Sequence, residues 1–331
     1  MKKLLFVLSL LAFLLSSAAP ALAHEPDPPE TAAPPQWQQL FPPVSPPARA
    51  SHAMAYDIGR GLGVLFGGAD SGGYALDDTW EWDSHTMTWV ERQPAQRPLA
   101  RFGHAMVYDE ARGVTVLFGG TSSYYQDYND TWLWDGMDWT QTFPTTSPDP
   151  RWLHAMAYDP LRQVVVLFGG REGGSELGDT WEWDGSTWAE QSISGPPARS
   201  GAYLAYDRRR NIAVLFGGAG STTHYNDTWE RVGSAPWRQV PPPQRPPSRT
   251  RGGAAYFPPA RRVLIFGGLK ISAYYDDTYL WDGQVWRTRQ FEPRPAGRCC
   301  FAMVYDPVLR GILLFGGSVS SVEASDTWLL R

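Results

Sequence analysis

The chain has 331 residues, of which 43% are apolar, 19% charged and 14% aromatic, and its formal net charge is −5. This balance is too apolar and aromatic for a disordered chain, and the acidic charge argues against binding to nucleic acids. Two cysteines are too few for a disulfide-rich fold or a cysteine-rich zinc site. The only long apolar run is N-terminal, which excludes a polytopic membrane protein.

The first predicted element is a secretory signal peptide over residues 1–23. Lys2 and Lys3 precede an apolar run of about 12 residues, and small residues lead to a cleavage site after Ala23. This run is too short to cross a bilayer. We therefore expect a secreted or periplasmic protein without a membrane span. Residues 24–36 follow as a proline-rich tether, because proline resists both helix and central strand.

The remaining residues, 37–331, contain a unit that is repeated six times. Each unit has an apolar run that ends in Phe-Gly-Gly, and successive phenylalanines are 48 to 52 residues apart. This period is typical of one four-stranded blade of a β-propeller. The six phenylalanines are Phe66, Phe118, Phe168, Phe216, Phe266 and Phe315.

Each unit predicts four strands and no helix. Residues 52–56 alternate in size with period two, and residues 163–168 are continuously apolar, as in a strand buried on both faces. Residues 180–183 alternate again, and Asp184-Gly185 supplies a tight turn before a fourth strand at Trp188. The predicted fold class is all-β.

The unit resembles the Kelch repeat, whose marks are the double glycine after the second strand, an aromatic third strand and a fourth-strand tryptophan. The resemblance covers residues 37–331 and implies a six-bladed propeller like the central domain of galactose oxidase. The fourth-strand tryptophans are Trp89, Trp139, Trp188, Trp237 and Trp286.

The sixth unit stops at residues 328–331, directly after its third strand. Residues 37–42 look like a fourth strand that has no blade before it. We predict that this N-terminal strand completes the sixth blade and closes the ring, as in Kelch propellers of this type. The expected product is one complete propeller without a second domain, and a monomer.

The long loops after Gly-Gly are the predicted binding face. They share a face with the loops between blades because strands alternate in direction, and they differ from blade to blade. Tyrosine in these loops offers rigid contact area and a hydroxyl, although packing on the parent blade is an equal alternative. The candidate ligand-binding tyrosines are Tyr124, Tyr125, Tyr128, Tyr225, Tyr274 and Tyr275.

An arginine precedes the first strand of every blade and falls on the same face. In Kelch domains that bind acidic peptides, arginine at the matching position lines the pocket, so the resemblance implies an anion-binding ring. The favoured alternative is structural, with each arginine paired to the aspartate before Thr-aromatic in the same or the next blade. These blade arginines are Arg49, Arg101, Arg151, Arg199, Arg249 and Arg298.

Three histidines and two cysteines complete the candidates. His52, His104 and His154 hold one position in blades one to three; because whole blades separate them, we expect interblade packing and no metal site. Cys299 and Cys300 begin the first strand of blade six, where neighbouring side chains point to opposite faces. Reduced or separately buried thiols are expected there, with a vicinal disulfide as the alternative.

These features favour an exported, non-catalytic recognition protein that binds a glycan, a peptide or a partner protein without a cofactor. The alternative is a sugar-processing enzyme, because a periplasmic sialic acid mutarotase also has a Kelch propeller. The oxidase alternative fails on residues. Resemblance to galactose oxidase would require a cysteine cross-linked to a tyrosine together with histidine and tyrosine copper ligands, and here the only cysteine pair lies on a blade-six strand with no histidine nearby. No convergent acid–base set is visible. Scattered loop candidates are Glu172, Glu176, His224 and Glu323.

Overall fold

A computed structural model describes residues 35–331, which form six antiparallel four-stranded sheets arranged as the blades of a propeller. The predicted signal peptide and almost all of the tether lie outside the described residues. The first strand of each blade contacts the first strands of both neighbouring blades, so these six strands surround the axis.

The strands are numbered in chain order. Blade one contains β2 (Ala53–Asp57), β3 (Leu62–Phe66), β4 (Thr79–Asp83) and β5 (Thr88–Arg92). Blade two contains β6 (Ala105–Asp109), β7 (Val114–Phe118), β8 (Thr131–Trp134) and β9 (Trp139–Thr142). Blade three contains β10 (Ala155–Asp159), β11 (Val164–Glu172), β12 (Ser175–Trp183) and β13 (Trp188–Glu190).

Blade four contains β14 (Tyr203–Asp207), β15 (Ile212–Phe216), β16 (Thr228–Val232) and β17 (Arg238–Val240). Blade five contains β18 (Gly253–Phe257), β19 (Arg262–Phe266), β22 (Thr278–Trp281) and β23 (Trp286–Arg289). Blade six contains β24 (Ala302–Asp306), β25 (Gly311–Phe315), β28 (Thr327–Leu330) and β1 (Trp37–Leu40).

The N-terminal strand closes the ring, as predicted. β1 pairs antiparallel with β28, with Trp37 opposite Leu330 and Leu40 opposite Thr327. Trp37 is buried and packs on Phe266 of blade five, with ring centroids 5.2 Å apart. The first and last strands of the propeller are therefore neighbours in one sheet, which removes an open edge.

Gly-Gly after each second strand joins neighbouring blades. Both glycines have positive φ in all six blades, and the N–H of the second donates to the carbonyl of the next blade's arginine at 2.8–3.0 Å. A Cβ on Gly67 would lie 2.7 Å from the carbonyl oxygen of Arg101. Only glycine accommodates both this conformation and this approach.

Tryptophan supplies a second interblade contact. In five blades the indole Nε1 of the fourth-strand tryptophan donates to a threonine hydroxyl of the preceding blade, at 2.9–3.2 Å. The same indoles pack on the buried phenylalanine of Phe-Gly-Gly in that blade, as Trp139 does on Phe66 at 5.3 Å. Burial of a large ring with its N–H paired explains the repeated use of tryptophan.

The regions after Gly-Gly contain more strand than the sequence predicts. In blade three, β11 and β12 run through Gly-Gly with a bulge and form one long hairpin. Blades five and six carry short hairpins, made by β20 (Leu269–Lys270) with β21 (Ala273–Tyr274) and by β26 (Ser318–Val319) with β27 (Val322–Glu323). Within the described residues 35–331, one 3₁₀ turn, Pro258–Ala260, interrupts the β structure. Over residues 35–331, no helix is long and apolar enough to cross a membrane.

Candidate ligand-binding face

The loops after Gly-Gly and the loops between blades lie on one face, as predicted. In every blade an isolated antiparallel bridge joins the residue after the blade arginine to the residue after Gly-Gly. These bridges fix the variable loops on the rigid end of each sheet. The six bridges are Ala50–Ala69, Phe102–Thr121, Trp152–Arg171, Ser200–Ala219, Thr250–Leu269 and Cys299–Ser318.

All six blade arginines are buried and pair with an aspartate of their own blade. Arg101 shows the arrangement: its Nη1 and Nη2 donate to Asp130 at 2.6 and 2.8 Å, and Nη1 and Nε donate to the carbonyls of Gly119 and Leu99. Its side chain is 0% exposed. The other pairs are Arg49–Asp78, Arg151–Asp179, Arg199–Asp227, Arg249–Asp277 and Arg298–Asp326.

A tryptophan extends this network in five blades. In blade two, Trp132 Nε1 donates to the same Asp130 carboxylate at 2.7 Å. Burial raises the pKa of Asp130, but the hydrogen bonds and charge of Arg101 outweigh it and hold the pKa below its usual value. The structure thus shows the arginine–aspartate pairing that was the favoured structural alternative from the sequence. A ligand contact by these arginines stays a prediction.

Of the six candidate tyrosines, four are half-buried and two are exposed. Tyr128, Tyr225 and Tyr275 cover the guanidinium groups of Arg101, Arg199 and Arg249 at 3.8–4.3 Å, so they pack on their own blades. Tyr274 is half-buried, and its hydroxyl lies 3.3 Å from Ser321 Oγ. By contrast, Tyr124 and Tyr125 are 92% and 74% exposed.

The exposed tyrosines of blades one and two form a tyrosine patch, which consists of Tyr74, Tyr124 and Tyr125. The N–H of Ala75, next to Tyr74, donates to the hydroxyl of Ser123, next to Tyr124, at 2.7 Å. This bond holds the two loops together. Tyr74 is 67% exposed, so the patch presents three accessible aromatic rings.

A polar groove of about 330 Å³ lies on the same face across blades three to five. It is lined by Arg171 and Glu176 of blade three, by Ser221 and His224 of blade four, and by Arg251 of blade five. Two of the four scattered loop candidates, Glu176 and His224, therefore meet here. Glu172 and Glu323 do not line it.

Six loop residues encircle the propeller axis and form an axial ring. All six have positive φ, and each backbone N–H donates to the carbonyl of the member in the preceding blade at 2.6–2.8 Å, so the hydrogen bonds form a closed cycle. The members are Ser51, Gly103, Leu153, Gly201, Arg251 and Cys300.

An axial cavity of about 140 Å³ is lined by the axial ring and by the residue that follows each member. Arg251 lines both this cavity and the polar groove. Arg251 was not among the site residues predicted from the sequence. The repeat alignment does distinguish this residue. It lies two residues after the blade arginine, at a position where the other five repeats carry uncharged residues.

The three aligned histidines are packing residues in the structure. Each packs edge-on against the phenylalanine of the preceding blade's Phe-Gly-Gly, with centroids 5.5–5.6 Å apart. Burial, with the nearby blade arginine, lowers the pKa of His52 and His154 to about 3 and that of His104 well below its usual value. Within residues 35–331, no cluster of His, Cys, Asp or Glu has a metal-binding arrangement.

The prediction that the two cysteine side chains point to opposite faces of a strand is wrong. Cys299 and Cys300 precede β24, and Cys300 has φ of 60°, which breaks the alternation of side chains expected of a strand. Both sulfurs consequently lie on the same side, with Sγ atoms 2.8 Å apart. Both cysteines are free thiols in the structure.

Comparisons with known proteins agree with this architecture. The profile of the KLHDC2/KLHL20/DRC7 Kelch-repeats domain matches residues 64–257 and 134–317. The F-box/kelch-repeat protein At1g51550 of Arabidopsis thaliana is 34% identical over 90 residues, which are 26% of this chain but only 18% of that protein. The solved structure described as "Structure of YjhT" superposes with a TM-score of 0.68 at 15% identity, covering 87% of this chain and 96% of that one. Six repeats, six blades and this profile match establish that the chain belongs to the Kelch-repeat family.

Proposed function

We propose that this protein is an exported, non-catalytic recognition propeller that binds an acidic glycan or peptide through the face of the long loops. The polar groove carries this proposal, because its size falls within the usual range for ligand sites and charged groups converge in it. Export is inferred from the residue pattern of residues 1–23.

The charge in the polar groove favours an anionic ligand. Arg251 is half-buried, and no carboxylate of residues 35–331 forms a salt bridge with it in the structure. Arg171 lies 3.9 Å from Glu176, at the limit of an ion pair. By contrast, every blade arginine is neutralised by a bidentate aspartate. Arg251 is therefore the cation on this face that is best placed to bind a ligand carboxylate.

The tyrosine patch supplies the apolar part of the surface. Its rings are exposed on ordered loops, and aromatic faces pack well on sugar rings and on peptide side chains. The tyrosine patch lies on blades one and two and the polar groove begins on the neighbouring blade three, so a ligand that occupies both must be extended. An extended peptide or an oligosaccharide meets that requirement better than a single small molecule.

The experiment is a screen of glycan and acidic-peptide arrays with the mature chain, followed by titration of the hits. We expect Arg251→Ala to weaken binding about 10- to 100-fold, as loss of a charge-assisted hydrogen bond does. Arg289→Ala is the matched control, because Arg289 is exposed on the outer strand of the same blade. Tyr124→Ala should also weaken binding. Unchanged affinity in both Arg251→Ala and Tyr124→Ala, with the melting temperature preserved, would refute the proposed site.

One observation favours a second candidate, a sugar-processing enzyme. Glu176 and His224 bring a carboxylate and an imidazole to the same groove, and such a pair can serve as acid and base. The test is NMR exchange between the anomers of sialic acid and of neutral sugars. Exchange that the wild type accelerates and Glu176→Gln does not would establish the enzyme. Exchange at the uncatalysed rate supports recognition alone.

A further inference from the structure

The two cysteines bring two sulfur nucleophiles together beside the axial cavity. Their Sγ atoms are 2.8 Å apart, and the chain contains no other cysteine. Cys299 and Cys300 can therefore form a disulfide within one chain only with each other.

The backbone explains why two consecutive side chains meet. Cys299 is held by its antiparallel bridge to Ser318. Cys300 belongs to the axial ring: its N–H donates to the carbonyl of Arg251, and its carbonyl accepts from the N–H of Ser51. These bonds on both residues fix the positive φ of Cys300, which turns both sulfurs to the same side. The pairing thus belongs to the framework of the propeller and does not depend on a ligand.

The two thiols differ in access. Cys299 is 2% exposed, whereas Cys300 is half-buried and lines the axial cavity together with Ser51 and Arg251. A cavity of about 140 Å³ is large enough for a few water molecules or a small peroxide. Arg251 also lines the polar groove, so the axial cavity adjoins that groove. A small oxidant in the axial cavity would meet Cys300, whereas Cys299 does not line the cavity.

The surroundings also favour the thiolate at Cys300. The hydrogen bond from the Cys299 thiol outweighs burial and, with the positive charge of Arg251, holds the pKa of Cys300 below its usual value. The same hydrogen bond, together with burial, raises the pKa of Cys299. This asymmetry is the usual arrangement of a reactive thiol beside a resolving thiol.

We propose that Cys299 and Cys300 are an oxidisable dithiol, in which Cys300 reacts with a small peroxide from the axial cavity and Cys299 closes a vicinal disulfide. In the first step the Cys300 thiolate attacks one oxygen of hydrogen peroxide and the O–O bond breaks. Cys300 becomes a sulfenic acid, and the departing hydroxide takes a proton to become water.

In the second step the sulfur of Cys299 attacks Cys300 Sγ as its own proton leaves. The S–O bond breaks, an S–S bond forms, and the departing hydroxide takes up a proton as water. Overall, two thiols lose two electrons and two protons, and one hydrogen peroxide becomes two waters. An external dithiol reductant reverses the change by thiol–disulfide exchange.

The test combines peroxide titration of the folded full chain with mass spectrometry and dimedone, which traps sulfenic acids. In the wild type we expect both thiols to disappear together, a mass loss of two hydrogens in the peptide that contains both cysteines, and recovery with dithiothreitol. Cys299→Ser should accumulate the dimedone adduct at Cys300. In Cys300→Ser, Cys299 should react at least about tenfold more slowly, because it is buried and protonated. In urea the two variants should react at similar rates.

Two results would overturn the proposal. The first is a folded wild type that keeps both thiols in excess peroxide, or that accumulates as much dimedone adduct as Cys299→Ser. The second is a Cys299 that reacts as fast as Cys300 in the folded chain. Limited iodoacetamide labelling of the reduced wild type gives this second comparison without any variant, so the outcome does not depend on whether Cys300→Ser folds.

Discussion

The buried histidines predict that the protein loses stability on acidification, and that this loss begins at a pH well above the pKa range of the carboxylates. His52, His104 and His154 are neutral in the fold, because burial and a neighbouring arginine lower each pKa far below 6.5. In the unfolded chain the same side chains take up a proton near pH 6.5. Their contribution to stability is therefore complete above pH 6.5 and is lost progressively as the pH falls toward about 3.

The magnitude follows from proton linkage. Between pH 6.5 and 5.5, each histidine that charges only in the unfolded state lowers the free energy of unfolding by about 1 kcal/mol, so three lower it by about 3 kcal/mol. Four aspartates that pair with blade arginines do not contribute in this window, because their pKa values are lowered from 3.8 and they act at more acidic pH. These four are Asp78, Asp130, Asp179 and Asp326.

Urea unfolding followed by tryptophan fluorescence at pH 7.5, 6.5 and 5.5 measures the effect. His104→Phe is the informative variant, because blade six has Phe301 at this position, packed on Phe266 at 5.7 Å. We expect it to remove about a third of the pH-dependent loss, and the triple His→Phe variant to remove nearly all of it. Exposed His85→Ala is the control. A triple variant that loses as much stability as the wild type over this range would refute the reasoning.

Three further outcomes are expected. Arg101→Ala should cost roughly 3–5 kcal/mol of unfolding free energy, since it leaves the Asp130 carboxylate without its buried cation. If Arg101→Ala kept the unfolding free energy of the wild type but bound ligand more weakly, Arg101 would instead be a ligand-binding residue. Trp37→Ala should cost about 3–5 kcal/mol in urea unfolding by opening the ring, whereas exposed Gln38→Ala should stay within about 0.5 kcal/mol. Equal losses would contradict the closure model. Chelation should leave the melting temperature unchanged. A fall that added Zn²⁺ restores would contradict the packing role of the histidines.

The repeat made the architecture predictable, because each blade copies one pattern and errors in one copy are corrected by the others. Even ring closure could be predicted, since one strand lacked a blade and one blade lacked a strand. The site was harder to predict, because it depends on non-glycine residues with positive φ. Neither the place of Arg251 on the axis nor the meeting of the Cys299 and Cys300 sulfurs follows from the alternation of a strand, which these residues interrupt.

In the axial ring the backbone maintains the fold, whereas the side chains determine the chemistry beside the cavity. Its cycle uses only backbone groups, so the structure demands a conformation at these six positions but not a side chain. A non-glycine residue there costs roughly 1–2 kcal/mol, which one domain can tolerate a few times. The chain already places a hydroxyl, an aliphatic group, a guanidinium and a thiol at these positions. Residues around the axis can therefore be exchanged almost one at a time, which gives evolution, or a designer, a set of adjustable contacts beside a cavity without new loops or altered blade packing.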